Sequence, residues 1–468
     1  MCGGAGTRLW PASNDISPKP FLPLVDGRST FAGTLERVSD SALFAEPVII
    51  ANREHRFLIG EALADAGVTA SLVLEPEPRD TAAAVAAAAA FVARRDPEAT
   101  ILVLAADHLI RDVAGFRATA ALAGKAAAAG EIVVFGIRPD APATGFGYIS
   151  PGEALAGIEG VNRVAAFVEK PDRAAAEGYA AAGYLWNSGN FTMRAATALA
   201  ELRAHAPDVL AAAEAAIDSG SSDGNVTELH RDAFHKAPKI AFDRAVMEKT
   251  KRAAVVAARF DWSDLGTWHA VWDAAKKDAD DNVSVGEAVL VGSTGSFVSS
   301  DRPVVGLLGV KDLVVVADSD AVLVMPRERA DSVKDLVGAL GAVRDRVQGG
   351  RARHYRPWGW YQSLELGPAH QVKRLEVKPG ARLSLQSHRR RSEHWTVVAG
   401  EGEVTLGMDR GTLATKTVRT NESIYIPLHA IHRVANRGSV PLTIIEVQCG
   451  DYLGEDDIER YEDDYGRS

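Results

Sequence analysis

Cysteine is nearly absent from this 468-residue sequence, which holds only Cys2 and Cys449. Two thiols cannot build a disulfide framework, so a stapled secreted domain is excluded and a reducing cytoplasm fits best. Long hydrophobic runs are missing too. The apolar stretch from Ile101 to Ala106 has the length of a buried strand, far short of the ~20 residues that cross a bilayer. The N-terminus shows no charged segment followed by an apolar one, so no export signal is legible. Positive charge is in deficit, with 52 Lys and Arg against 62 Asp and Glu and a formal net charge of −10. A general binder of nucleic acid or of a membrane surface needs the opposite sign, although local basic groups can still hold a small phosphorylated substrate. What is present is 47% apolar and 24% charged residues, ordinary for a soluble globular chain and enough for two or three domains.

Residues 1–281 alternate short apolar runs with longer helical ones. Pro47–Ala51, Ser71–Leu74, Ile101–Ala105 and Glu131–Gly136 read as buried strands, and the Ala-rich segments Thr81–Arg95 and Ala118–Ala129 read as helices. That alternation predicts an α/β domain of Rossmann-like form with a mostly parallel sheet. Over 282–350 the runs shorten between Gly, Ser and Asp turns, predicting a β-rich connector closed by a helix over Ala330–Val347. The pair Gly349-Gly350 marks a boundary, and 351–468 reads as an all-β barrel or sandwich with strands at Gln371–Val377, His394–Val398, Glu403–Leu406, Ser423–Ile426 and Leu442–Val447. No tandem repeat of solenoid length is visible.

Chemistry concentrates first near the N-terminus. Gly3, Gly4 and Gly6 precede Thr7 and Arg8, then Trp10-Pro11, and Lys19 lies between Pro18 and Pro20. A glycine-rich turn lets backbone N–H groups approach an anion, and Arg8 and Lys19 add the positive charge that a triphosphate needs. Alone, such a turn is common. The combined string resembles the signature of sugar-nucleotide pyrophosphorylases, especially their mannose-1-phosphate guanylyltransferase branch.

Further segments follow in the order of that family. The resemblance implies a nucleotide-binding loop at Arg79 to Thr81 and a magnesium-holding Asp107 beyond a buried strand. It implies a sugar-phosphate side built from Gly147, Glu169, Lys170 and Asn187, and Asp264 as the second carboxylate on the metal. The segment 241–249 completes the set. Each piece has a dull reading, such as a helix cap, a solvated pair or a core tryptophan; seven ordered segments over about 265 residues make coincidence implausible. The implied reaction joins two anions: a sugar 1-phosphate oxygen attacks the α-phosphorus of GTP and pyrophosphate leaves. Positioning and neutralisation by Arg8, Lys19, Lys170 and Mg²⁺ would supply the catalysis.

A second constellation lies in the C-terminal region. Gly380, Gln386, His388, Glu393 and Gly400, then Pro427, His429, His432 and Asn436, match the two cupin motifs in spacing. Strand alternation turns Gln386 and His388 to one face, where Glu393 and His432 can close a mixed N/O site for a divalent metal. The region resembles type II phosphomannose isomerase, which implies interconversion of mannose 6-phosphate and fructose 6-phosphate. Arg391 and His394 match family positions near that site, with Lys373 a weaker candidate.

The sequence departs from the pattern at Arg389 and Arg390, where the family usually has histidines, and at Pro20 and Asn190. A cupin can also be kept without its activity. Only Met1 and Cys2 precede the glycine loop, where a central strand needs about five residues. The chain as given is therefore expected to start late and to leave a gap in the sheet. A pyrophosphorylase for another sugar and base, or a non-catalytic sugar-nucleotide sensor, stays open as an alternative. The partners implied are GTP, mannose 1-phosphate and the two hexose 6-phosphates, with no nucleic acid, no membrane and room for a homo-oligomer.

Overall fold

A computed structural model describes residues 1–3, 6–318, 320–341 and 353–465. Gly4, the Gly349-Gly350 pair and Gly466-Arg467 lie outside the described residues.

The N-terminal strands are β1 (Val48–Asn52), β2 (Ser71–Glu75), β3 (Thr100–Val103), β4 (Ile132–Ile137), β5 (Tyr148–Ala154), β6 (Val161–Val168), β7 (Leu185–Arg194), β8 (Ser221–Asp223), β9 (Val226–Glu228) and β10 (Ala253–Ala257). They form two sheets, ordered β1-β2-β9-β8 and β3-β7-β4-β10-β6-β5. Parallel pairing joins β1 to β2, β2 to β9 and β4 to β10, while β7 runs antiparallel to β3 and β4. The helix Asp80–Ala93 explains its own composition. It buries Ala82 to Ala87, Ala89, Ala90 and Phe91, and it packs on the helices Ala195–His205 and Pro207–Asp218. Methyl side chains let the helices approach closely without cavities.

The two sheets meet across the first residues. Cys2 bridges Ala51 in parallel, the Met1 amino group donates to Leu104 O at 2.8 Å, and Ala106 N donates to Met1 O at 3.0 Å. Beside this contact an apolar cavity of about 310 Å³ runs between β1 and β3, lined in part by Ile50, Val92, Ile101 and Val103.

The connector pairs successive strands in parallel: Val283–Val285 with Phe297–Ser300, that strand with Leu313–Ala317, and Ala288–Val291 with Val305–Leu308. These are stacked rungs of a short coil, built without a sequence repeat because the turns between rungs differ in length. The predicted helix appears as a 3₁₀ turn, Arg327–Ser332, followed by an α-helix, Val333–Ala339. One hydrophobic core joins this connector to the N-terminal loop: Leu9, Trp10, Leu24 and Val25 pack with Leu265, Trp268, Phe297, Val314, Met325 and Val333. Trp268 Nε1 donates to Trp10 O at 3.0 Å and fixes the loop from beneath.

The C-terminal region is a pair of antiparallel sheets of six and five strands around their own core of Trp358, Leu375, Val377, Trp395, Val404, Val434 and Ile444. Among the described residues, no helix is long and apolar enough to cross a membrane.

Candidate functional site

The first site lies where loops leave the N-terminal sheets. Gly6 takes a left-handed conformation at φ 58°, and a Cβ there would meet Ser13 Oγ at 2.7 Å and Lys19 Cβ at 2.8 Å. Only glycine lets the loop close onto Lys19. Gly3 and Thr7 are exposed on that loop, and Thr7 opens a 3₁₀ turn that carries Arg8. Lys19 is 5% exposed. Its ammonium donates to Asp107 Oδ2 at 2.7 Å and to the main-chain carbonyl of Asp264. Residues 107 and 264 therefore meet on one cation. Burial is the largest influence on Asp107 and opposes its ionisation, but the charge and hydrogen bond of Lys19, with a smaller contribution from His108, together hold the carboxyl below its usual range. Burial pushes the His108 imidazole below its usual range, and Trp262 Nε1 donates to its Nδ1 at 3.3 Å.

Asp264 Oδ1 accepts from Gly266 N at 3.0 Å. A Cβ on Gly266 would lie 2.5 Å from Asp264 Oδ2 and 2.9 Å from Arg8 Nη2, so the glycine leaves the space these groups use. Both carboxylates are half-buried, and Asp264 reaches Lys19 through its main-chain carbonyl. Arg8 stands 3.7 Å from Asp331 of the connector.

From Trp262, the hydrogen-bond partner of His108, a run of packed aromatic rings leads toward a second polar group. Phe146 packs edge-on against Trp186 and Trp262, at 5.0 and 5.1 Å between centroids. Glu169 Oε1 accepts from the exposed Lys170 ammonium at 2.7 Å, and a Cβ on Gly147 would lie 2.7 Å from Glu169 Oε2. Asn187 donates from its backbone N–H to Gly147 O at 2.8 Å and from Nδ2 to Asp243 Oδ1 at 2.7 Å. Gly147, Glu169, Lys170 and Asn187 are thus brought together, and Asp243 joins them. Burial first, then the Glu169 charge, pushes the Asp243 carboxyl up to about 6. Asp243 lies inside the 241–249 segment, which the resemblance named without giving this residue a role; its place between Phe242 and Arg244 carries no local signal of burial.

Arg79 and Thr81 are committed internally. Arg79 is held by Glu77, by His235 and by the Ala237 carbonyl at 3.4 Å. The Thr81 hydroxyl accepts from Phe242 N at 2.8 Å. Their polar atoms tie the loop to the 235–242 segment as they stand.

The barrel holds the second site. His388 Nε2 lies 3.1 Å from Glu393 Oε1 and His432 Nε2 lies 3.5 Å from Glu393 Oε2, all three side chains being buried. His432 Nδ1 donates to Ala430 O at 3.0 Å, which leaves a lone pair on Nε2 facing a carboxylate. Neither Nε2 makes a hydrogen bond. Acceptors turned on one another in a buried pocket fit a divalent cation between them, and the three side chains offer ligand atoms within 4.8 Å of each other. Although burial opposes it, the two imidazoles hold the Glu393 carboxyl well below its usual range. Gln386 lines the same cavity, with its Oε1 accepting from Ser384 Oγ at 2.9 Å.

Arg391 is buried, donating to Gly454 O at 2.6 Å and lying 3.5 Å from Glu393 Oε1. His394 corrects an expectation. On the strand Arg391–Ala399 the side chains of 391, 393 and 395 point inward, so His394 is exposed on the outer face, with its ring 4.6 Å from that of Tyr425. It does not face the cavity that holds Glu393. The cavity instead contains groups whose roles the sequence left unassigned. Trp395 Nε1 donates to both Glu393 and Glu446, at 3.0 and 2.8 Å, and Gln448 Nε2 donates to the same two carboxylates at 3.0 and 2.8 Å. Burial, then the Glu393 charge, pushes Glu446 up to about 8. Lys373, buried in the cavity wall, pairs with Glu455 at 2.7 Å.

Comparisons with known proteins agree with this architecture. Residues 1–281 match the nucleotidyl transferase family, 286–340 the mannoseP isomerase/GMP-like beta-helix domain, and 344–463 the mannose-6-phosphate isomerase C-terminal domain. A nucleotidyltransferase joined through a β-helix to a cupin barrel is the class that fold and sites define. The chain is 45% identical to the xanthan biosynthesis protein XanB of Xanthomonas campestris pv. campestris, over all of this chain and 98% of that one. It is 43% identical to a mannose-1-phosphate guanylyltransferase of Escherichia coli, over all of this chain and 98% of that one. A solved structure from Thermus thermophilus, described as a mannose-1-phosphate geranyltransferase, is 37% identical with a TM-score of 0.65, covering 73% of this chain and 97% of that one. The chain belongs to the mannose-1-phosphate guanylyltransferase family, in the form that carries a mannose-6-phosphate isomerase C-terminal domain.

Proposed function

We propose that residues 1–281 transfer GMP from GTP to mannose 1-phosphate, giving GDP-mannose and pyrophosphate, and that 351–468 interconvert mannose 6-phosphate and fructose 6-phosphate. The observation that supports the first reading is the meeting of Asp107 and Asp264 on Lys19, beside Arg8, together with the Glu169–Asn187–Asp243 group. Mg²⁺ held by Asp107 and Asp264 would neutralise the phosphates as they approach. Arg8, half-buried at the glycine loop, would bind the leaving pyrophosphate once it gives up Asp331. Lys170, on its exposed stem, would take the sugar phosphate, while Glu169 and Asn187 accept and donate bonds to sugar hydroxyls. Cys2 and Cys449, both unpaired, suit a reducing cytoplasm where the nucleotide is made.

For the barrel, the support is the pair of buried imidazole nitrogens facing Glu393 without a hydrogen bond. A divalent ion on His388, Glu393, His432 and Gln386 would polarise the sugar carbonyl. The proton between C1 and C2 would then be moved by a side chain of the same cavity, and Lys373 with Glu455 is the charged pair that lines it. A panel measuring pyrophosphate release with GTP, dTTP and UTP, each against mannose 1-phosphate and glucose 1-phosphate, tests the first reading. GTP with mannose 1-phosphate should dominate; preference for any other pair overturns it.

A further inference from the structure

Lys19 is placed unlike a group that waits for a phosphate. Its side chain is almost fully buried, its ammonium is spent on Asp107 Oδ2 at 2.7 Å and on the Asp264 carbonyl, and Gly6 closes over its Cβ. An ammonium in that position supplies the charge that a metal would bring. It touches a carboxylate named above as a metal ligand and the backbone of the other.

We infer that Lys19 is a positioning residue that acts as a resident cation of the metal site. It keeps Asp107 neutralised and in place when nucleotide is absent, so the site takes a divalent ion only together with the phosphate oxygens of the nucleotide. The inference rests on the reading of Asp107 as a metal ligand.

The physical reason is charge balance. Two carboxylates with no cation would repel each other and attract any free divalent ion. With the Lys19 ammonium bound to one oxygen of Asp107, an arriving ion meets both a spent ligand atom and a like charge a few ångströms away. A bound triphosphate adds negative charge, so the same ammonium no longer outweighs the ligands. Metal and nucleotide then bind as a unit, which guards the site against occupation by metal alone.

The test uses the full-length chain carrying His388→Gln and His432→Gln, so that the barrel contributes no metal site, with Mn²⁺ as the probe followed by electron paramagnetic resonance. Lys19→Met should tighten nucleotide-free Mn²⁺ binding on the order of tenfold, since a like charge near the ion is removed. The gain should shrink when a non-hydrolysable GTP analogue is present. Lys19→Arg should bind Mn²⁺ as weakly as the parent. A residue that merely braces the loop predicts the opposite, because losing it would scatter the ligands and weaken the metal. If the Met variant melts early, Lys19→Gln, which keeps a donor to the Asp264 carbonyl, makes the same comparison. Unchanged or weaker Mn²⁺ binding in a variant with the parent's melting temperature overturns the inference. Asp107→Asn separates the two layers. If it leaves Mn²⁺ binding untouched, Asp107 is no ligand and both readings fall; if it abolishes binding while Lys19→Met fails to tighten it, only the role of Lys19 falls.

Discussion

The two sites assemble in opposite ways. In the barrel, His388 and His432 sit on directly paired strands of one sheet and Glu393 on a strand of the other, and all three side chains are buried. At the transferase end, Arg8, Lys19, Asp107 and Asp264 come from separate loops, half-buried except for Lys19, and a single ammonium holds two of them. The barrel stores its constraint in a ladder of backbone bonds. The transferase stores it in side chains, which can be rearranged by substrate. The two should therefore fail independently and to different degrees.

The largest separation is expected from Asp264→Asn. GMP transfer, followed by pyrophosphate release, should fall by about 10²–10³ or more, in keeping with loss of transition-state charge stabilisation. Isomerisation of mannose 6-phosphate by the same preparation should be unaffected; a parallel loss of both would erase the contrast. His432→Gln is the mirror experiment. Elemental analysis should find the barrel's divalent metal lost and isomerisation abolished, while pyrophosphate release persists.

A smaller effect comes from Asp243, whose carboxyl is pushed up from 3.8 to about 6. A raised carboxyl favours the folded state while protonated, so that contribution is complete below 3.8 and is lost as pH rises to about 6. Asp243→Asn keeps an acceptor for Asn187 Nδ2 and should flatten the melting temperature across that window. An unchanged slope would mean that Asp243 is already ionised in the folded protein. The smallest effect is expected from His394→Ala, on the outer face of its strand: within about 0.5 kcal/mol in stability and no change in isomerisation. Loss of activity there would show that the strand's facing is misread.

Much of this contrast was legible in the sequence, unevenly. Strand alternation put Gln386 and His388 on one face, and the spacing of the two cupin motifs added Glu393 and His432 to them. The same period should have turned His394 outward, beside an inward Glu393. The proposed transferase ligands were legible only through resemblance, since nothing local in residues 107 and 264 says that a lysine from position 19 joins them. Asp243 and Glu446 were hidden for a related reason. Their perturbation comes from burial and from a neighbouring carboxylate distant in sequence, neither of which a linear pattern displays.

The core shared by Leu9, Trp10, Trp268, Phe297, Met325 and Val333 has a practical consequence for grafting. A chimera spliced at residue 281 would divide that cluster, leaving the underside of the glycine loop wet and Trp10 without its lid. Exchange of sugar-nucleotide specificity between relatives should therefore transplant everything up to Ala339 as one cassette, with the barrel as the interchangeable part.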